Sequence, residues 1–156
     1  MLGQLPDANH IKKIPGIFPD DVQNELLSYS GNIDGIIAYS VIQYIFTFGN
    51  LWNFLDYTLS LLSPGGEILF GDIPNQSMRK RFFSSDTGKR AHRNFTGCDD
   101  EPIINYNTLN PLQIDDSVVF AMLSRARLQG FHAWVLPQFI DTPMSNRRED
   151  ILIRRP

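Results

Sequence analysis

A chain of 156 residues, 42% hydrophobic and 12% aromatic, is long enough for one domain with a real core, and its usage is that of a soluble globular protein. With 14 basic against 17 acidic residues the net charge is −3, so no global field recruits nucleic acid or an anionic membrane. No window approaches the ~20 apolar residues of a membrane span, no signal-length apolar core follows the N-terminus, and Cys98 has no partner for an internal disulfide; the expected setting is cytoplasmic.

The first element in chain order is a short strand candidate over residues 10 to 18, HIKKIPGIF, where Pro15 lacks a donor and suggests an edge or a strand end. Asp20 or Asp21 can then cap a helix in which Val22, Leu26 and Tyr29 share a face, stopped by Gly31-Asn32. From Ile33, IDGIIAYSVIQYIF reads as a buried strand. Asn50 to Leu62 follows as a helix whose stripe is Leu51, Leu55, Leu59 and Leu62, widened by Trp52 and Phe54. Ser63-Pro64-Gly65-Gly66 is a stop, and EILFGD a second buried strand. Apolar runs bounded by turn residues and separated by one helix are what a parallel α/β sheet needs, because both faces of each strand are covered.

After Asp72, PNQSMRKRFFSS fits a short helix with Met78 and Phe82 inward and Arg79, Lys80 and Arg81 outward. Beyond it the chain has no clean period and is rich in Asn, Asp, Gly and Pro, so 83–114 reads as an inserted loop or cap on a single domain spanning 1–156. Asp115 or Asp116 caps a helix whose Val119, Met122, Leu123 and Ala126 follow helical spacing, with Gly130 as its stop. Strands at Ala133 to Leu136 and Asp150 to Arg154 are expected to pair antiparallel at one edge. Arg147-Arg148 beside Glu149-Asp150 reads there as charge that discourages edge pairing.

The run from Ile33 to Asp72, the helix ending in Gln129-Gly130-Phe131, the strand HAWVLPQ and the final RREDILIRRP together resemble a class I, Rossmann-like, S-adenosylmethionine-dependent methyltransferase. The resemblance covers most of the chain outside 83–114. It implies a mostly parallel α/β sheet with helices on both faces and a C-terminal antiparallel strand pair. The glycine-rich loop that cradles the cofactor's methionine part in that family has no counterpart, since the glycines before Ile33 are Gly3, Gly16 and Gly31. MLGQLPDANHIKKIPGIF resembles the family's second-helix end and third strand, so the domain is expected to be N-terminally incomplete.

In open α/β sheets ligands sit beyond the carboxyl ends of the strands, which selects Gly16 to Pro19, Ala38 to Tyr44 and Asp72 to Arg79. The resemblance implies S-adenosylmethionine with its adenine on Ile17 or Phe18 and its aminoacyl part against Ala38, Tyr39 and Ser40. Gln43, Asn75 and Arg79 then fall on the acceptor side and Tyr44 at the methyl-transfer cleft. A sulfonium is cationic, so an electron-rich ring at Tyr44 or Tyr39 favours its binding. A carboxylate at Asp72 could take a proton from an acceptor hydroxyl or amine. Set against these roles, Ile17 and Phe18 can be core, Tyr44 can be packing, and Asp72 can be a turn residue before Pro74. His10, His92 and His132 lie on different elements without paired spacing, so no metal is expected. Arg79-Lys80-Arg81 and Lys89-Arg90 with Arg93 read either as solvated faces or as bidentate contacts to a phosphate or carboxylate, the latter pointing to an anionic acceptor such as a nucleotide-linked sugar.

The function these features imply is methyl transfer to a small-molecule or sugar acceptor by in-line displacement, which needs alignment above all. The alternative is a non-catalytic methyltransferase-like subunit that binds a partner, or a second copy of itself, through an exposed sheet edge. A nicotinamide-dependent reductase ranks last, for want of a G-x-G-x-x-G and a Tyr-x-x-x-Lys pair.

Overall fold

Four strands, β1 (Ile33–Tyr39), β2 (Leu62–Pro74), β3 (His132–Pro137) and β4 (Arg148–Arg154), form one sheet in the order β1-β2-β4-β3. The first two run parallel, and β4 inserts antiparallel between β2 and β3. With the helices α1 (Gln23–Leu26), α2 (Ile42–Phe48), α3 (Leu51–Leu61), α4 (Gln76–Ser84), α5 (Asp86–Thr96) and α6 (Asp116–Leu128), this is a Rossmann-like α/β fold. The computed structural model describes residues 2–108 and 110–156. Among them β3 and β4 form the expected antiparallel pair at one edge, while the sheet is mixed rather than mostly parallel and β4 is the inner strand of that pair rather than the edge itself. No helix among them is long and apolar enough to cross a membrane.

Strand alternation sorts the side chains into two faces. Register aligns Ile36, Ile68, Ile153 and Ala133 in one row and Ala38, Phe70, Ile151 and Val135 in another, and both rows belong to the core. The helices that cover them begin where the sequence caps them. The Asn50 side chain accepts from the Trp52 and Asn53 amides to start α3, and Asp115 accepts from Ser117 and Val118 to start α6. Leu51, Phe54, Leu55 and Leu59 from α3 meet Val119, Met122, Leu123 and Ala126 from α6 in the same cluster. Burying a side chain the size of Phe70 or Leu55 contributes about 1.5–3 kcal/mol each.

The opposite face carries a third aligned row, Ile37, Leu69, Leu152 and Trp134, with Ile37 75% and Trp134 40% exposed. Phe18, just ahead of α1, packs edge-on against Phe54 and Tyr57, on the side already occupied by α3. The expected helices on both faces are thus not found among the described residues, where the core-packed helices share one face.

Several elements differ locally from expectation. Residues 10–18 form no strand. Neither aspartate caps α1: Asp21 accepts from the Ile17 amide and Asp20 from Asn53. The long strand expected from Ile33 stops at Tyr39, because Ser40 turns into the left-handed region at φ 56 and the next apolar residues coil into α2. Ser63 to Gly66 bulge within β2, Ile33 pairing with Leu62 and Gly35 with Glu67. Inside 83–114 the polar stretch after Ser84 forms α5, capped by the Ser85 hydroxyl and ended by Gly97 at φ 70. On α4 it is Phe83, rather than Phe82, that is buried.

Candidate functional site

β1 and β2 end side by side, and both chains leave the sheet through left-handed residues, Ser40 at φ 56 and Asp72 at φ 60. Non-glycine residues held there carry a conformational cost that only surrounding contacts can offset. Those contacts are present. The Ser40 amide donates to the Gly71 carbonyl at 3.0 Å, and the Ser40 hydroxyl donates to the Asp72 carboxylate. Arg148 pairs with the same carboxylate, Gln138 Nε2 donates to it at 3.3 Å, and the Asp72 amide donates to Asp150 at 2.8 Å. A Cβ at Gly71 would run into the Tyr39 ring, so glycine there lets the ring lie against the strand end.

Burial pushes the Asp72 carboxyl up, but hydrogen bonds from Ser40, Arg148 and Gln138 together outweigh it and hold the group below the usual carboxylate range. A carboxylate whose oxygens are engaged by three donors is a fixed anion that orients its neighbours. Its pKa, held below the ordinary carboxylate range and so away from neutral pH, makes it a weak proton acceptor for the role of base that its position suggested.

One turn along from this node, Gln43, Asn75 and Arg79 come together around a cavity of about 350 Å³. Arg147 and Arg148 share its wall with the apolar Leu112, Ile114 and Met144. Asn75 is 1% exposed and fully committed to the fold. Its Oδ1 caps α4 by accepting from the Ser77 and Met78 amides, while its Nδ2 donates to Asp116 at 2.8 Å and to Glu149 at 2.5 Å. It therefore shapes the cavity rather than offering a ligand a free amide. Burial raises the Glu149 carboxyl, helped by the nearby Asp116 and Asp150 and opposed by Asn75 and Arg81. Gln43 donates from Nε2 to the Ser40 carbonyl at 3.0 Å and leaves its Oε1 buried with no donor among the described residues.

Comparison with known proteins leaves this site without a family. No family model matches the chain, and no curated protein does. Among solved structures, the crystal structure of the selenomethionine-substituted CurJ carbon methyltransferase is similar at 18% identity and a TM-score of 0.43, over 81% of this chain. The chain spans 30% of the length of that structure.

The remaining residues picked from sequence do not converge on the cavity. Ile17 is 70% exposed, Phe18 is packed on α3, and Ala38 faces the core. Tyr39 is half exposed at the strand end. Tyr44 is 61% exposed on α2 and lines none of the described cavities, because one residue along a helix rotates it away from the direction Gln43 takes. Among the described residues no group of three His, Cys, Asp or Glu side chains could hold a metal ion.

Three residues central to the site, Arg147, Arg148 and Glu149, were read differently in sequence, and Gln138 was given no role there. Those three looked like charge protecting a sheet edge. Arg148 and Glu149 enter an interior strand instead, opposite Pro74 and Ile73, and Arg147 ends the 3-10 turn just ahead of it. The available signal was the run of four charges, Arg147 to Asp150, leading into ILIR, since charge entering a central strand is tolerated only when it is paired.

Proposed function

We propose that the protein takes part in S-adenosylmethionine-dependent methyl transfer to a small-molecule or sugar acceptor, with the α4 cavity as the acceptor side. The observation that carries this reading is the juxtaposition of the β1 and β2 carboxyl ends, locked together through Ser40 and Asp72, beside a cavity of about 350 Å³ lined by Gln43 of α2, Pro74 at the end of β2 and Arg79 of α4. Ligands of open α/β sheets occupy this place. The residues fit the cofactor in part. Ile17 and Tyr39 are open to a ligand, whereas Phe18 and Ala38 are given to the core. The cofactor supplies an electrophilic methyl group on a cationic sulfur.

On this reading Gln43 and Arg79 orient the acceptor, and Tyr44 stands exposed on the helix that leaves the β1 end. Asp72 holds Ser40 and Arg148 in place and is a positioning residue, so alignment rather than proton abstraction by Asp72 carries the reaction. The setting is the cytoplasm, consistent with a lone exposed Cys98. Calorimetric titration with S-adenosylmethionine, read in parallel by Trp52 fluorescence, tests the proposal. Saturable binding at about micromolar Kd supports it, and no heat up to about millimolar cofactor removes it.

The uncovered sheet face favours a second reading, a non-catalytic subunit that binds a partner or a second copy. Ile37, Leu69, Leu152 and Trp134 form an apolar row with no layer over it among the described residues, and β1 ends the sheet on one side. A self-associating chain that gives no response to the cofactor would favour this second reading.

A further inference from the structure

Arg79 on α4 and Arg147 just before β4 direct their guanidinium groups at one ring, 5.1 Å and 5.4 Å from the centroid of Phe83. Both arginines line the acceptor-side cavity, and both also line a second cavity of about 540 Å³ on the α5 side of Phe83. Neither has a carboxylate partner among the described residues, although their neighbours do: Arg81 pairs with Asp116 at 2.6 Å and Arg148 pairs with Asp72. Burial pushes the Arg147 guanidinium below its ordinary value, and the charges of Arg79 and Arg148 push the same way. Arg79 is exposed and Arg147 half-buried, so an anion can reach both, and two like charges over one ring without a protein counter-ion form an arrangement that an arriving anion relieves.

We propose that Arg79 and Arg147 bind the phosphate group of a phosphorylated small molecule whose body lies along Leu112, Ile114 and Met144 toward Gln43. The charge balance selects phosphate over carboxylate, since two guanidinium forks match a dianion with three acceptor oxygens better than a monoanion with two. The apolar stretch and the free end of Gln43 describe the rest of the ligand. Its buried Oε1 lacks a donor, and a sugar hydroxyl would supply one. The cavity of about 350 Å³ is of a size that takes such a molecule. Naming this molecule the methyl acceptor rests on the methyl-transfer reading above.

The test is calorimetric titration of the full chain with pyrophosphate, without S-adenosylmethionine, in the wild type and in Arg79→Met, Arg147→Met and Arg90→Met. Arg90 lies on the exposed side of α5, hydrogen-bonds to Thr87 and lines none of the described cavities, which leaves it the solvated-face reading, so it controls for loss of a surface charge. The wild type is expected to bind saturably, each of the first two variants to bind about tenfold or more weakly, and Arg90→Met to match the wild type. Arg79→Lys and Arg147→Lys keep the charge but lose the fork, and an intermediate loss is expected; they carry the test if a Met variant fails to fold. No binding by the wild type, equal loss in Arg90→Met, or acetate binding as tightly as pyrophosphate would each overturn the assignment. Pyrophosphate binding with no response to S-adenosylmethionine would leave the phosphate site standing and remove methyl transfer, and the converse result would do the opposite.

Discussion

Arg147 and Arg148 are consecutive, yet they meet opposite fates. Arg148 enters β4 and pairs with Asp72, in a node where Ser40, Gln138 and the Asp72 amide also find partners. Arg147 turns to Phe83 beside Arg79, in a cluster of one sign of charge. The first cluster is complete within the chain and the second is not. Arg148 is half-buried and finds its partner within the fold, whereas Arg147 is half-buried and Arg79 exposed with no carboxylate among the described residues. That difference separates a structural element from a receptor.

The largest effect expected from this contrast is on stability. Arg148→Met strands Asp72, whose side chain is only 14% exposed, and should cost about 3–5 kcal/mol in chemical denaturation. A cost below about 1 kcal/mol would mean the node is worth no more than a surface pair, and the contrast would fail. Next comes Asn75→Ala, which removes the α4 cap and the donor shared by Asp116 and Glu149. Cap loss together with two carboxylates left facing each other should cost about 2–3 kcal/mol, read as a lowered denaturation midpoint with an unchanged denaturant slope.

These nodes also show where sequence reading reached and where it stopped. Elements with strong periodicity and caps were legible: α3 from Asn50 and its leucine stripe, α6 from Asp115, and the apolar core of β2. The adjacency of Ser40 and Asp72, and the meeting of Gln43 with Asn75 and Arg79, followed from placing ligands at strand ends. What stayed hidden depended on tertiary neighbours. An apolar run through IDGIIAYSVIQYIF carries no local mark of the strand-to-helix switch, because its breaker is Ser40, a residue that takes a left-handed φ only once Gly71 and Asp72 hold it. For α5 a local signal existed in the Ser85 cap and the Gly97 stop, but its outer face is so polar that no apolar stripe drew attention to it. The interior place of β4 is a property of sheet order, which charge near one strand cannot report.

A smaller effect, of opposite sign, is expected at Glu149. Burial raises its folded-state pKa above the ordinary 4.5, with Asp116 and Asp150 adding to the shift, so the folded protein holds this proton more tightly than the unfolded chain. Stability from this group therefore grows as pH falls from the raised value toward 4.5, and is missing at neutral pH. Asp72 and Asp116 behave the other way: their lowered values contribute stability above 3.8 that is lost as pH drops through the folded pKa. Glu149→Gln should accordingly be more stable than the wild type at about pH 7, with the gap in thermal midpoint closing toward about pH 4.5. A variant less stable at neutral pH would mean that Glu149 serves Asn75 as a charged acceptor more than burial penalises it.

The smallest effect falls on the residue next to the largest. Arg147→Met removes a guanidinium that has a ring and two like charges for company, so its stability should stay within about 0.5 kcal/mol of the wild type or rise slightly. Pyrophosphate should then separate the two proteins: a ligand that binds only the folded state raises the midpoint of the wild type more than that of Arg147→Met at the same concentration. If Arg147→Met instead destabilised the chain as much as Arg148→Met, the Phe83 cluster would be a strut like the Asp72 node, and the reason to look for an anion there would be gone.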